Sequence, residues 1–233
     1  MGKGDYQFQI ERDGLSRRLG GGIPKGSLTV VAGPYGSGKS VLMQRLAYGF
    51  LINGHSVTYI STEMTVSGFI EQMKSLDYPI ADRIISKSLM FIPVFPIIGK
   101  AKTERKDFLS KLVRTTHLFD RDILIVDTFS SLICDELNEQ NAIETISFFK
   151  KMNSQGKTII LTIDPSEIKE GLLTPFKSAA DIFMEIRVRV IEGELNRTLT
   201  VSRYLKARDY VSSMISFRVE PNLGIIVDIT TVA

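Results

Sequence analysis

The sequence predicts an α/β fold: a central, mainly parallel sheet with helices on both faces, extended at its C-terminal end by antiparallel strands. Three observations predict it. Short apolar runs alternate with amphipathic stretches from Ser27 to Ile163. A glycine-rich loop, Gly33 to Ser40, joins the first of those runs to a helical pattern. After Ala180 the rhythm changes to closely spaced strand-like segments, with Glu192-Gly193-Glu194 as a hairpin turn.

The first dozen residues are polar and mixed, and read as a loose arm. Leu19 to Gly26 follows, with four glycines and a proline that favour turns. Ser27 to Ala32 is β-branched and almost wholly apolar, as a buried strand is. From Lys39 to about Ile52 the spacing is helical, and Asn53-Gly54 supplies its C-terminal stop. Val57 to Ser61 reads as a strand, Val66 to Leu76 as a helix and Leu89 to Val94 as a further strand. Thr103 to Leu118 alternates apolar and charged residues at helical spacing. Ile123 to Asp127 and Thr158 to Ile163 read as strands, with a helix over Ala142 to Met152 between them. In the C-terminal quarter, Asp181 to Ile191, Arg197 to Leu205, Ile215 to Val219 and Ile225 to Ile229 read as strands. No linker, internal repeat or low-complexity tract breaks this pattern, so one domain over residues 1–233 is expected.

Composition narrows the class. With 43% hydrophobic and 24% charged residues the chain has enough apolar material for a packed core, which excludes a disordered protein. The formal charge of +3 lacks the strong basic excess of a dedicated nucleic-acid binder. One cysteine, Cys134, precludes an internal disulfide and points to the reducing cytoplasm. The longest apolar stretch, Leu89 to Ile98, is about half of a bilayer span and is interrupted by Pro93 and Pro96. Past the strand, that stretch is either a core-covering loop or a partner surface.

The chemistry concentrates in Gly33-Pro34-Tyr35-Gly36-Ser37-Gly38-Lys39-Ser40, which satisfies G-x-x-x-x-G-K-[ST]. Glycines at these positions let backbone N–H groups converge on one anion, and the helix that follows adds its positive dipole end. Lys39 reaches phosphate oxygens as a point charge, and the Ser40 hydroxyl can ligate Mg²⁺. The loop with Val41 thus forms a candidate site for ATP and Mg²⁺, the bland alternative being a glycine-rich turn. Asp127 ends an apolar strand, where ligands of such sheets sit, and is a second Mg²⁺ candidate or else an N-cap. Glu63, just past the second strand of the parallel series, is placed to orient or deprotonate an attacking water, or else to stabilise a helix start. Lys206 and Arg208, two apart on an expected strand, face one way as fingers towards a neighbouring subunit's γ-phosphate or form a solvated basic edge. Thr162 and Asp164 are either phosphate sensors or, with Pro165, a turn.

These motifs occur in a telling order. Gly20-Gly21-Gly22-Ile23-Pro24-Lys25-Gly26-Ser27 leads into the phosphate loop, followed by Thr62-Glu63-Met64, Asp127-Thr128-Phe129-Ser130-Ser131 and Lys206-Ala207-Arg208. Together, from about Gly14 to the C-terminus, they resemble the RecA-like branch that contains KaiC and RadB. Within it the chain resembles the FlaH family, the KaiC-like accessory proteins of the archaeal flagellum (archaellum). The wording of the loop, Tyr59 to Glu63 and Thr128 to Leu132 carry that narrower likeness. The resemblance implies a RecA-like P-loop fold, bound ATP and Mg²⁺, and a homo-oligomeric ring at the cytoplasmic base of the motor. It implies the secretion-type ATPase FlaI and membrane and scaffold components as partners, with slow or absent hydrolysis, hence a nucleotide-controlled assembly switch. By the same resemblance Lys39 and Ser40 take the phosphate and magnesium positions and Asp127 the Walker B position. Glu63 takes that of the catalytic carboxylate, and Lys206 and Arg208 those of the interface cations.

Two other readings share the motifs. A RadB-like recombination ATPase would contact DNA through a mobile, basic loop. The corresponding segment here, Pro165 to Ser178, sets Lys169 and Lys177 against Glu167 and Glu170, which leaves little charge to follow phosphates. A clock-type relative would carry a tandem pair of domains, and one domain is expected here.

Overall fold

Strand residues in this protein are apolar in continuous runs because both faces of the sheet are covered. In a computed structural model, which describes residues 4–94, 107–169, 171–191 and 193–228, successive residues of each run alternate between two cores. Val31, Tyr59, Ile125 and Ile160 belong to one, and Val30, Ile60, Val126 and Leu161 to the other.

The parallel strands are β3 (Leu28–Ala32), β4 (Val57–Ser61), β5 (Leu89–Pro93), β6 (Ile123–Asp127), β7 (Thr158–Ile163) and β8 (Ile182–Ile191). The antiparallel strands β9 (Glu194–Tyr204), β10 (Met214–Glu220) and β11 (Gly224–Val227) extend the sheet beyond β8. The order is β11-β10-β9-β8-β3-β7-β6-β4-β5, a mainly parallel sheet with an antiparallel extension, as expected. One detail differs: β8 pairs parallel with β3, so the antiparallel part begins one strand later than the change of rhythm at Ala180.

Helices α1 (Leu15–Arg18), α2 (Lys39–Ile52), α3 (Val66–Ser75) and α4 (Ala81–Ile85) precede β5 in the chain. Leu42, Met43 and Leu46 of α2 and Phe69 and Met73 of α3 fill the first core. The second face is covered by α5 (Phe108–Arg114), α6 (Phe129–Ile133), α7 (Glu139–Ser154) and α8 (Leu173–Ala179), which bury Leu112, Phe129, Phe149 and Phe176. Helix α7 starts three residues before the apolar pattern does. Asn138 and Asn141 form a reciprocal capping box there, each side chain bonding the other's backbone N–H. Thr103 to Leu118 resolves into α5 and a 3₁₀ turn over Thr116–Phe119, its first residues lying outside the described ones. Of the apolar stretch Leu89 to Ile98, β5 is an edge strand, and residues 95–98 lie outside the described ones.

Of the expected loose arm, the described residues, from Gly4 on, are ordered. Residues Asp5–Gln7 form β1, antiparallel to β2 (Gly22–Pro24), and Phe8 is fully buried. The physical reason is a charged anchor in the core. Arg45 of α2 makes two bonds to Asp13, at 2.6 and 2.7 Å, and a third to the Phe8 carbonyl at 2.6 Å, all out of water. Gly26, at φ +69, passes so close to α7 that a Cβ would sit 2.3 Å from the Asn153 carbonyl oxygen.

Candidate functional site

All six parallel strands end on one edge, and the candidate residues collect there. Gly33 leaves β3 with its N–H bonded to the Ile163 carbonyl at 3.1 Å. A Cβ on Gly33 would meet Ser37 Oγ at 2.9 Å and the Ile186 carbonyl oxygen at 3.0 Å, so only glycine fits. Gly36 and Gly38 hold φ of +73 and +93, the left-handed region that glycine adopts without strain. Ser37 N–H closes the turn on the Pro34 carbonyl at 3.2 Å, and Tyr35 points outward, 89% exposed. Helix α2 begins at Lys39 with Gly38 as its N-cap and no side-chain cap, so its first N–H groups remain available to an anion. Val41 lies in that first turn, partly buried against the core.

Lys39 Nζ donates to the Gly33 and Pro34 carbonyls at 2.7 and 2.9 Å. Burial lowers its pKa, while the charges of Asp164, Asp127, Glu167 and Glu63 oppose that shift. Ser40 Oγ donates to Asp127 Oδ1 at 3.1 Å. Thr162 Oγ1 donates to the same oxygen at 3.1 Å, and Tyr59 OH to Oδ2 at 2.9 Å. Burial raises the Asp127 carboxyl to about 6, the three hydroxyls partly opposing it and the Glu63 charge adding to it. Tyr59 is itself raised well above its usual value by burial and by Asp127.

These groups suit Mg²⁺ with phosphate. A serine hydroxyl and a carboxylate, both hard oxygen donors, stand within hydrogen-bond reach of each other at the start of α2, which has no side-chain cap. The Ser37 hydroxyl is buried with no hydrogen-bond partner among the described residues. Of the expected set, the structure brings together Gly33 to Val41 and Asp127. Glu63 follows β4, whose Ser61 is in register with Asp127, and its exposed side chain acts electrostatically on Asp127 and Lys39.

Lys206 and Arg208 are not on a strand. Strand β9 ends at Tyr204, and Lys206 takes φ +61 in the turn beyond it. Because β9 runs antiparallel to β8 and Tyr204 pairs with Ile182, that turn lies at the opposite edge of the sheet from the phosphate loop. Arg208 Nε is 3.2 Å from Asp5 Oδ2.

Three side-chain roles escape the sequence patterns. Tyr59 reads as a core aromatic until its hydroxyl is seen on Asp127. Thr162 bonds Asp127 and accepts the Thr128 N–H at 2.5 Å, so it holds the end of β6 in place. Asp164 caps the 3₁₀ turn over Pro165–Glu167, the turn reading. Nearby, Ser130 and Ser131 hydroxyls hold Glu167 at 2.5 and 2.7 Å, and Ser130 Oγ also accepts the Asp164 N–H at 2.9 Å. The third is Arg197, whose side chain lies against Gly38. Its signal was present: Leu195, Arg197, Leu199 and Val201 share one register, and a cation breaks an apolar face.

With this geometry in view, comparison with known proteins is specific. Residues 9–230 match the family model for the KaiC ATPase. The archaeal flagellar ATP-binding protein FlaH of Methanocaldococcus jannaschii is 41% identical over 228 residues, covering 97% of both chains. The crystal structure of flagellar accessory protein FlaH from that organism superposes with a TM-score of 0.91 at 39% identity, covering 97% of this chain and all of that one. A DNA repair and recombination protein RadB of Methanococcus maripaludis is 22% identical over 205 residues, covering 84% of this chain and 90% of that one. Among the described residues no helix is long and apolar enough to cross a membrane.

Proposed function

The chain belongs to the KaiC-like ATPase family, and from that membership we propose that it is an ATP-binding accessory protein of the archaellum motor whose assembly is set by nucleotide. The observation that carries the nucleotide site is the bond from Ser40 to Asp127, which joins the phosphate loop to the Walker B carboxylate across β7. The likeness to FlaH over 97% of the chain supports the motor assignment.

In this reading the N–H groups of Gly36 and of Gly38 to Val41 bind the phosphate chain, while that of Ser37 closes the turn on Pro34. Lys39 exchanges its two loop carbonyls for phosphate oxygens, since an ionised acceptor binds an ammonium more strongly than a neutral carbonyl does. Ser40 and Asp127 hold Mg²⁺, whose charge offsets that of the phosphates. Glu63 is the group available to orient a water, and its weight decides whether the protein hydrolyses ATP or only holds it.

Lys206 and Arg208 sit at the edge opposite to their own phosphate loop, so they can reach only the nucleotide of another copy. Such a contact is heterologous and closes into a ring if the rotation allows it. Placed at the cytoplasmic base of the motor, an ATP-loaded ring would then dock on the secretion-type ATPase FlaI and the membrane and scaffold components around it. A recombination role has less behind it, because Glu167 in the segment corresponding to a DNA-binding loop is tied to Ser130 and Ser131 and α8 occupies most of the rest.

The test is equilibrium ATP binding with Mg²⁺, with mass measured by light scattering. The wild type should bind one ATP per chain and grow in mass with ATP, and Lys39→Ala should do neither. Absence of ATP binding by the wild type, or tight ATP-dependent binding of single-stranded DNA near physiological salt, would overturn the reading.

A further inference from the structure

Arg197 lies on β9 between Val188 of β8 and Phe217 of β10, in register with both. Its Cδ and Nε come within 3.3 and 3.4 Å of where a Cβ on Gly38 would stand. Nε is buried and has no hydrogen-bond partner among the described residues. A guanidinium at this place faces the positive end of α2, so the protein alone gives it little reason to be there.

Position in the sheet says what it could serve. Asp127, on β6, is two strands from β3 in one direction, and Arg197, on β9, is two strands away in the other. Ser40 and Asp127 place the metal and the terminal phosphates on the β6 side. The nucleoside end of a nucleotide therefore leads towards β8 and β9. Strand β8 runs on to Ile191, although its register with β3 ends at Ala32 and Glu185. Along this overhang the pairs Val188–Arg197 and Val190–Leu195 continue the face of the buried pair Ile186–Leu199, which packs with α2. Val190 and Leu195 are 71% and 53% exposed, an apolar strip beside a cation.

We propose that Arg197 is a nucleotide-binding residue for the adenosine end of ATP, its guanidinium set against the purine ring with Val188, Val190 and Leu195 flanking it. This rests on the reading of Gly33 to Ser40 as an ATP site. A planar cation on a purine face combines stacking with cation–π attraction.

Titration calorimetry with Mg²⁺ and two probes, ATP and inorganic tripolyphosphate, tests it. Lys39→Ala should lose both probes. Arg197→Ala should weaken ATP by about tenfold while leaving tripolyphosphate within roughly twofold. Arg197→Met, which keeps an aliphatic stem against Gly38 and Phe217, should behave as Arg197→Ala does, and thermal melts of both variants check the fold. Unchanged ATP affinity in both variants, with Lys39→Ala defective, overturns the Arg197 assignment and leaves the ATP site standing. Equal losses for ATP and tripolyphosphate in Arg197→Met overturn the adenosine assignment. A wild type that binds neither probe overturns the ATP reading itself, and this proposal with it.

Discussion

The Ser40 hydroxyl donates to Asp127 at 3.1 Å, joining the start of α2 to the end of β6 over the strand β7 that lies between β3 and β6. Its acceptor is a carboxylate kept out of water and raised to about 6. A charge so placed is costly to the protein alone and useful to a bound cation.

Asp127→Asn should therefore stabilise the ligand-free protein while abolishing Mg²⁺-dependent binding. A raised acid is penalised where the folded state must lose its proton. The penalty is absent below the unfolded value of 3.8, grows as pH rises through about 6, and is full at pH 7. From the shift it is on the order of 3 kcal/mol, so the variant should gain about 1–3 kcal/mol at pH 7 and progressively less towards pH 4. Urea denaturation across that range measures it, and a variant less stable than wild type at pH 7 would refute the account.

If Asp127 holds Mg²⁺ as proposed, Mg²⁺-dependent ATP affinity should fall as pH drops below about 6, approaching tenfold per unit, because the carboxylate must first lose its proton. Metal-free ATP binding should lack that component. Parallel slopes with and without Mg²⁺ would remove Asp127 from the metal site.

Glu63 separates a switch from a working ATPase. In single-turnover hydrolysis of labelled ATP, Glu63→Gln should retain binding and lose whatever hydrolysis the wild type shows, by about a hundredfold or more if Glu63 is the general base. Equal turnover in both proteins would assign Glu63 a structural role.

The buried pair Arg45–Asp13 should be worth more than its count of bonds suggests. Removing one partner leaves the other charged in the core, so Asp13→Ala should cost about 3–5 kcal/mol. The double replacement Asp13→Leu with Arg45→Met should cost less than the sum of the single changes. Additive losses in a double-mutant cycle would show that the pair does not act as a unit.

Lys206→Ala and Arg208→Ala should leave ATP affinity of the dilute monomer within roughly twofold of wild type and reduce the ATP-driven increase in mass, since the turn that carries them lies far from its own phosphate loop. Arg208 must exchange its contact with Asp5 to serve a neighbour. An ATP-driven increase in mass that is unchanged in both variants would refute a role for these cations at a contact between copies.

Much of this was legible from residues alone. Strands β3, β4, β6 and β7 fall almost where their apolar runs do, and the phosphate loop occupies its strand-to-helix junction. Boundaries slipped where a side chain rather than a run sets them, as at the Asn138–Asn141 box that starts α7 early. The N-terminal arm was misread because Phe8 and Asp13 have polar neighbours in sequence and find their partner, Arg45, only in the folded chain.

The sequence by itself determined what is local: which runs become strands, where the glycines must be, and which loop carries the amine and hydroxyl of Lys39 and Ser40 at its helix start. Those properties depend on backbone freedom and side-chain chemistry within a few neighbouring residues. Only the tertiary structure decided that Tyr59 and Thr162 serve Asp127, that Arg197 stands beside Gly38, and that Lys206 and Arg208 face away from their own loop. Those outcomes follow from strand order and direction, which long-range pairing sets and no single segment encodes.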